Sequence, residues 1–280
     1  MVVGPHALVL GVAQDGGHPQ PGCHRECCRR SKSKRHLTTC VAVIDDGRAW
    51  LLDAGPDFRE HLARLETAGA DLAGILLTHG HIGHYSGLMY LGREIMNTSG
   101  LPVWAAPRLA DYLRTNGPWE QLTSSGNIDL RHIDLSSTIE LTDRVRVDAF
   151  DVPHRDEYSE TVGFRVVGPT ATLLYVPDTD SWEAWDPSIE TYLGDVDAAL
   201  LDATFFDGDE LPGRDIRAIA HPLVVDSLAR FGELDGADCA KIRFTHLNHT
   251  NPLLDPESDA SVRVARAGMK VAVEGETFDL

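Results

Sequence analysis

The sequence predicts a layered α/β protein. Three observations lead there. Short apolar runs rich in Val, Ile and Leu recur along the 280 residues, stretches with helical periodicity lie between them, and the runs repeatedly end in His, Asp or Gly. Alternating strands and helices favour buried sheet covered by helices. A buried sheet delivers polar side chains at the edge where its strands stop.

In chain order the strand candidates are HALVLGV (6–12), CVAVIDD (40–46), AWLLDAG (49–55), GILLTHG (74–80) and LPVWAA (101–106). They continue with VRVDAFDV (145–152), TVGFRVVG (161–168), ATLLYVPD (171–178), AALLDATF (198–205), KIRFTHL (241–247) and MKVAVEG (269–275). Helices are expected over 57–69, 84–100, 106–117 and 221–234. In the first, Phe58, Leu62, Leu65 and Ala68 recur at helical spacing; in the second, Leu88, Leu91 and Ile95 do. Residues 14–36, rich in Gly, Pro, Cys and basic groups, show little period and read as a loop. With no internal repeat and no low-complexity linker apparent, one domain is expected over 1–280.

Composition bounds the function. Hydrophobic residues make up 42% and charged residues 24%, enough for a sizeable core. The net charge of −18, from 25 basic and 43 acidic residues, repels phosphate backbones, so no nucleic acid is expected as partner. No apolar run approaches the ~18 residues of a membrane helix, so no membrane is expected either. The N-terminus reads as a first strand rather than a signal peptide, which favours a cytoplasmic location. Five cysteines, an odd number with three clustered, argue against a disulfide framework and for a metal site in the cluster.

The chemistry concentrates in LLTHGHIGHYSGL, Leu76 to Leu88. The chain is still extended as it leaves the apolar run, and residues i and i+2 of an extended segment point the same way. His79 and His81 can therefore converge on one ion. His84 falls in the first turn of the following helix and can reach a neighbouring position. Neutral imidazole suits zinc, iron and copper. Further candidates close other strands: His154, Asp178 and His246. Three histidines and a carboxylate would complete one tetrahedral site, or the carboxylate could bridge two ions.

THGHIGH, followed by PH (153–154), YVPD (175–178) and FTH (244–246), resembles the metallo-β-lactamase superfamily. That resemblance implies a four-layer αββα sandwich with metal at one edge. VLGVAQDGGHPQPGC, LLDAGPDFR, LDATFF and HLNHTNPLL are similar to the coenzyme PQQ synthesis protein B group, over residues 6–280. The phosphonate-pathway cyclic phosphodiesterase and tRNA 3′-processing nuclease branches are near relatives. Carried over residue by residue, the resemblance implies His79, His81 and His154 at a first site and His84 and His246 at a second. Asp178 would bridge them and, with His221 as proton donor to the leaving group, carry the catalysis. The LLDAG motif implies that Asp53 orients a ligand histidine from behind.

One position departs from the pattern. The superfamily usually has aspartate where this chain has Gly83, and that aspartate completes the second site. The expectation is one firmly bound ion and partial occupancy of a second, with Asp180, Asp156 or Glu157 as candidate replacement carboxylates. The near relatives also carry a Cys-x-Cys-x-x-Cys loop that binds structural zinc with a late histidine. Here Arg25 replaces the middle cysteine and Cys27 is extra. The implied site is Cys23, Cys27, Cys28 and His249, with His24 able to stand in for one of the adjacent cysteines. Cys40 and Cys239 lie in or near apolar strands and read as core.

The expected activity is a metal-dependent hydrolysis of an ester, phosphodiester or lactone. The expected cofactor is zinc, one catalytic and one structural ion with a weak second catalytic one. Iron on the same ligands would instead suit an oxygenase, and lost catalysis would leave a metal-stabilised binding or carrier protein. The expected partners are a small-molecule substrate and, at most, a second copy of the chain in a homodimer. The loops NGPWEQLTSSGNI and FFDGDELPGRD are expected to build the pocket.

Overall fold

The computed structural model describes residues 4–30, 35–211, 213, 215, 216 and 219–280. Two seven-stranded sheets face each other. In spatial order the first is β14 (Thr277–Asp279), β1 (His6–Gly11), β2 (Cys40–Asp45), β3 (Arg48–Leu52), β4 (Asp71–Leu76), β5 (Leu101–Ala105) and β6 (Ile128–His132). The second is β13 (Lys270–Val271), β12 (Ile242–Thr245), β11 (Ala198–Asp202), β10 (Thr172–Val176), β9 (Val162–Val167), β8 (Arg146–Asp151) and β7 (Thr138–Glu140). Each sheet is antiparallel on one side and parallel on the other. The parallel parts are β3 to β6 and β10 to β13.

Side-chain alternation builds the layers. Trp50 and Leu52 of β3 face inward, where they meet Phe164, Val166, Tyr175 and Leu200 of the other sheet. Ala49 and Leu51 of β3 face outward, under the helices Phe58–Ala68 and Pro107–Thr115. The outer face of the second sheet lies under Val224–Phe231 and Asp259–Arg266. Strands buried on both faces read as continuous apolar runs, which is why the central ones were visible in the sequence. The result is the expected αββα sandwich.

The structure corrects several local expectations. Residues 84–100 do not form one helix. A short helix Ile82–Tyr85 passes into a 3₁₀ segment Ser86–Leu91, and the chain then turns, leaving Ile95 54% exposed. Close backbone packing is the cause: Ala54 N donates to His84 O and Gly87 N to Ala54 O. A Cβ on Gly87 would meet Gly55 O at 2.6 Å, so this turn must be tight and glycine-bearing. The loop 14–36 contains a helix, Glu26–Arg30, and is tied down by a β-bridge between His18 and His36; its residues 31–34 lie outside the described ones. The helix Asp259–Arg266 was missed because only Ala260 and Val264 are buried on it, although Ser258 caps it by accepting from Ser261 N. The chain also repeats a short motif. LLDA ends β3 (51–54) and recurs at the end of β11 (200–203).

His61 sits fully buried on the helix Phe58–Ala68. Burial pushes its ring down to about 4, with Arg64 adding to the effect and Asp57 opposing it. The folded state thus binds fewer protons than the unfolded state between about pH 6.5 and pH 4. Stability should fall on acidification through that window, by up to about 3 kcal/mol. Substituting His61→Leu should flatten urea-denaturation midpoints between pH 6.5 and 4. An unchanged pH slope would place the acid sensitivity in other groups.

Candidate metal centre

The exits of the parallel strands converge at one edge of the sandwich. Beyond β4 the chain runs through Thr78 and His79 and bends at Gly80 and His81, and His81 precedes the short helix as its N-cap with extended φ and ψ. This places His79 Nε2 2.9 Å from His81 Nδ1. His154, beyond β8 in the other sheet, brings its Nε2 to 3.2 Å from His81 Nδ1. A tetrahedral ion with bonds of about 2.0–2.1 Å would set such nitrogens roughly 3.3 Å apart. The three rings could therefore hold one cation.

A second group lies alongside. Asp178, beyond β10, places Oδ2 2.8 Å from His84 Nε2, 3.3 Å from His246 Nε2 and 3.8 Å from His79 Nε2. Its Oδ1 is 3.9 Å from His154 Nε2 and 3.5 Å from His221 Nδ1. It is thus between the two groups of rings. Asp15, which sequence reasoning did not single out, joins the second group: its Oδ1 is 3.5 Å from His84 Nε2 and 3.7 Å from His246 Nε2.

Each ring is held from behind. Thr78 Oγ1 meets His79 Nδ1 at 2.9 Å, Asp180 meets His154 Nδ1 at 2.8 Å, and Glu157 lies 3.6 Å from His81 Nε2. Asp53 meets His84 Nδ1 at 2.8 Å, and Thr204 Oγ1 meets His246 Nδ1 at 2.9 Å. Such outer partners fix the tautomer and aim of each ligand. The two LLDA motifs do matched work. Asp53 accepts from Thr78 N and Oγ1, and Asp202 from Thr204 N and Oγ1; Asp202 also contacts His221 Nδ1 at 2.8 Å. Asp53 and His246 both adopt positive φ, 67° and 60°, a strained conformation for these residue types that clusters at working sites.

The electrostatics follow. Burial, reinforced by the neighbouring His84 ring, keeps His79 well below the usual imidazole range, so its lone pair is free. Burial also disfavours charge on His84 and His221, but carboxylates outweigh it. Asp53 and Asp178 hold His84 well above its ordinary pKa, and Asp202 with Asp178 lifts His221 to about 9. Burial resists ionisation of Asp178, yet the His246 and His84 rings hold it well below the usual carboxylate range.

The proposed replacement carboxylates fall elsewhere. Asp180 and Glu157 back His154 and His81, and Asp156 accepts from Arg108 at the surface. Among the described residues of the two loops expected to line the pocket, none lines it; Pro212 and Arg214 of the second loop lie outside the described residues. Trp119 packs behind Tyr85, and Phe205 and Phe206 are buried. The cleft over the rings, about 430 Å³, is lined instead by Gln14, Asp15, Ile82, Tyr112, Arg155 and Tyr158 together with the site residues.

A third cluster sits apart on the Cys-rich segment. Cys23, Cys27, Cys28 and His249 bring one donor atom each within 4.8 Å of the others. Cys27 and Cys28 Sγ are 4.0 Å apart and lie 3.6 and 3.4 Å from His249 Nδ1. Zinc bonds of about 2.3 Å to sulfur and 2.0 Å to nitrogen would give roughly 3.8 and 3.5 Å. The helical turn Glu26–Arg30 lets adjacent cysteines face one point, and His24 is exposed outside the cluster. Burial pushes the Cys28 thiol up to about 12, so a cation is needed to hold it as thiolate. Cys40 and Cys239 are buried core residues; Cys239 lies in the helix Gly236–Lys241 rather than a strand.

A family model described as a beta-lactamase superfamily domain matches residues 48–226, more than half of the chain, and the chain belongs to that superfamily. Similar proteins narrow the neighbourhood. Coenzyme PQQ synthesis protein B of Xanthomonas campestris pv. campestris (strain B100) is 26% identical over 308 residues, covering 98% of this chain and 99% of its own. The protein of that name from Pseudomonas entomophila is 28% identical over 309 residues, covering 97% and 99%. Among solved structures, zinc-bound PqqB from Methylobacterium extorquens superposes with a TM-score of 0.83 at 24% identity, covering 98% of this chain and 100% of that one. A diphosphatase of the PhnP family gives 0.73 at 24% identity, covering 99% and 98%. Human tRNase Z, short form, gives 0.61 at 16% identity, covering 98% of each chain. At these identities the structures show a shared fold.

Substituting Cys28→Ser should lower zinc per chain by one and reduce the melting temperature, leaving the histidine groups loaded. An unchanged zinc count by elemental analysis would contradict a metal on the cysteine cluster.

Proposed function

We propose that this protein is a metal-dependent hydrolase acting on an ester, phosphodiester or lactone of a small anionic molecule. The observation that supports it best is the convergence of His79, His81 and His154 beside Asp178, with His81 and Asp178 lining the cleft. Zinc on those residues would lower the pKa of a bound water to about 7 and polarise the scissile group.

The chain supplies the remaining parts. His221 lines the cleft, and Asp202 accepts from its Nδ1 and favours its charged form. It is thus equipped to hold a proton for the leaving group. Arg155 lies at the cleft with its side chain 48% exposed, where its charge can meet an anionic substituent in an otherwise acidic protein. The rings of Tyr85, Tyr112 and Tyr158 form a wall beside it, with Tyr85 and Tyr112 hydroxyls 3.1 Å apart. Those rings offer flat apolar surface and hydroxyls for orienting a substrate. The relatives are named for coenzyme PQQ synthesis, which supports a small molecule as substrate. In this reading the cysteine cluster carries a structural zinc that pins the segment bearing Cys23 to Cys28 against His249. Among the described residues no helix is long and apolar enough to cross a membrane.

Two substitutions test the assignment. His81→Ala should remove the first-site ion and abolish turnover of p-nitrophenyl ester and bis-p-nitrophenyl phosphate probes together. Full turnover without that ion would sink the hydrolase reading, and iron at the site with oxygen consumption would replace it by an oxygenase. His221→Gln should lower kcat by about 10²–10⁴-fold with zinc content unchanged. A fall in zinc content would make His221 a ligand instead of a proton donor.

A further inference from the structure

Gly83 leaves a space, and the structure shows what fills it. A Cβ built on Gly83 would lie 1.9 Å from Asp15 Oδ1, 2.3 Å from its Cγ and 2.7 Å from its Cβ. The Asp15 carboxylate therefore occupies the volume that a side chain at position 83 would take. It arrives from the turn after β1, far from the histidine motif in sequence. Two backbone bonds fix that turn against the residue following His246: Leu247 N donates to Val12 O at 2.8 Å, and Gln14 N donates to Leu247 O at 2.9 Å.

Two atoms facing this space lack hydrogen-bond partners. Asp15 Oδ1 and His246 Nε2 are buried and make no hydrogen bond, although the rest of the Asp15 side chain is 42% exposed. Buried polar atoms are rarely left so. Asp15 Oδ1, His84 Nε2 and His246 Nε2 all lie within 4.8 Å of one another, and Asp178 Oδ2 is 2.8 and 3.3 Å from the two ring nitrogens. Two imidazoles and two carboxylates at these separations suit a divalent ion with bonds of about 2.0–2.2 Å.

We propose that Asp15 is a ligand of a second metal ion, together with His84, His246 and Asp178, and that Gly83 is required to admit it. This rests on the metal-centre reading above. The anionic ligand missing from the histidine motif is supplied by a different loop. The second site is then complete, and the expectation of a weak, partly filled one is replaced by two firmly held ions. The coupling runs both ways: any larger residue at 83 displaces Asp15, and without Asp15 the glycine leaves the site one charge short.

Zinc per chain, measured by elemental analysis after loading with excess zinc and desalting, tests the coupling. Asp15→Ala and the same-shaped Asp15→Asn should each carry about one zinc fewer than the unaltered protein while still unfolding cooperatively, at a somewhat lower melting temperature because one folded-state ion is lost. The double variant Asp15→Gly with Gly83→Asp should regain the lost ion. An unchanged count in Asp15→Ala and Asp15→Asn would overturn the proposal, as would a double variant that melts normally yet stays one ion short. If the count is unchanged there but falls in His81→Ala, Asp15 fails as a ligand and the hydrolase reading stands. If no variant of either histidine group changes the count, both fail together.

Discussion

Two carboxylates sealed from solvent hold the centre in place. Asp53 follows β3 and Asp202 ends β11; each accepts a backbone N–H and a hydroxyl from a threonine, and each contacts one histidine of the site. A fully buried carboxylate is tolerated only when its oxygens are satisfied. Here the satisfaction fixes geometry. Asp53 locks Thr78, and Thr78 aims His79; Asp202 locks Thr204, and Thr204 aims His246. Tyr175 reaches Asp53 from the opposite sheet at 3.4 Å, so the anchor also joins the two layers.

The ligands inherit that arrangement. His79, His81 and His84 come from the first sheet, and His154, Asp178, His221 and His246 from the second. An ion among them would clamp the sheets where their inward apolar contacts end. The charge pattern fits this use: rings held neutral face one ion position, and carboxylates crowd the other. The protein spends its polar residues at one edge and keeps the space between the sheets apolar.

Much of this was legible in the sequence, for physical reasons. The buried parallel strands advertise themselves as apolar runs, and THGHIGH is contiguous because one strand exit supplies three rings. His154, Asp178 and His246 could be found because each ends such a run. Asp15 could not, since its role depends on a turn folding against Leu247 and on the space at Gly83, which no local pattern reports. A signal existed in hindsight: a missing side chain in a charged cage calls for a carboxylate from a neighbouring loop, and AQDGG offers one beside a strand. The repeated LLDA was also readable, but its meaning appears only when the two strands sit in matching places. The helix expected over 84–100 failed because backbone contacts with Ala54 and Gly55 force a tighter path than periodicity suggests.

Cations bound by this protein would sit where the strand exits of both sheets meet. The most direct test is anomalous diffraction at the zinc edge from crystals of the zinc-loaded protein. One peak is expected bounded by His79, His81 and His154 and another bounded by Asp15, His84, His246 and Asp178. Zinc confined to the cysteine cluster, with no anomalous density among the histidines, would contradict it.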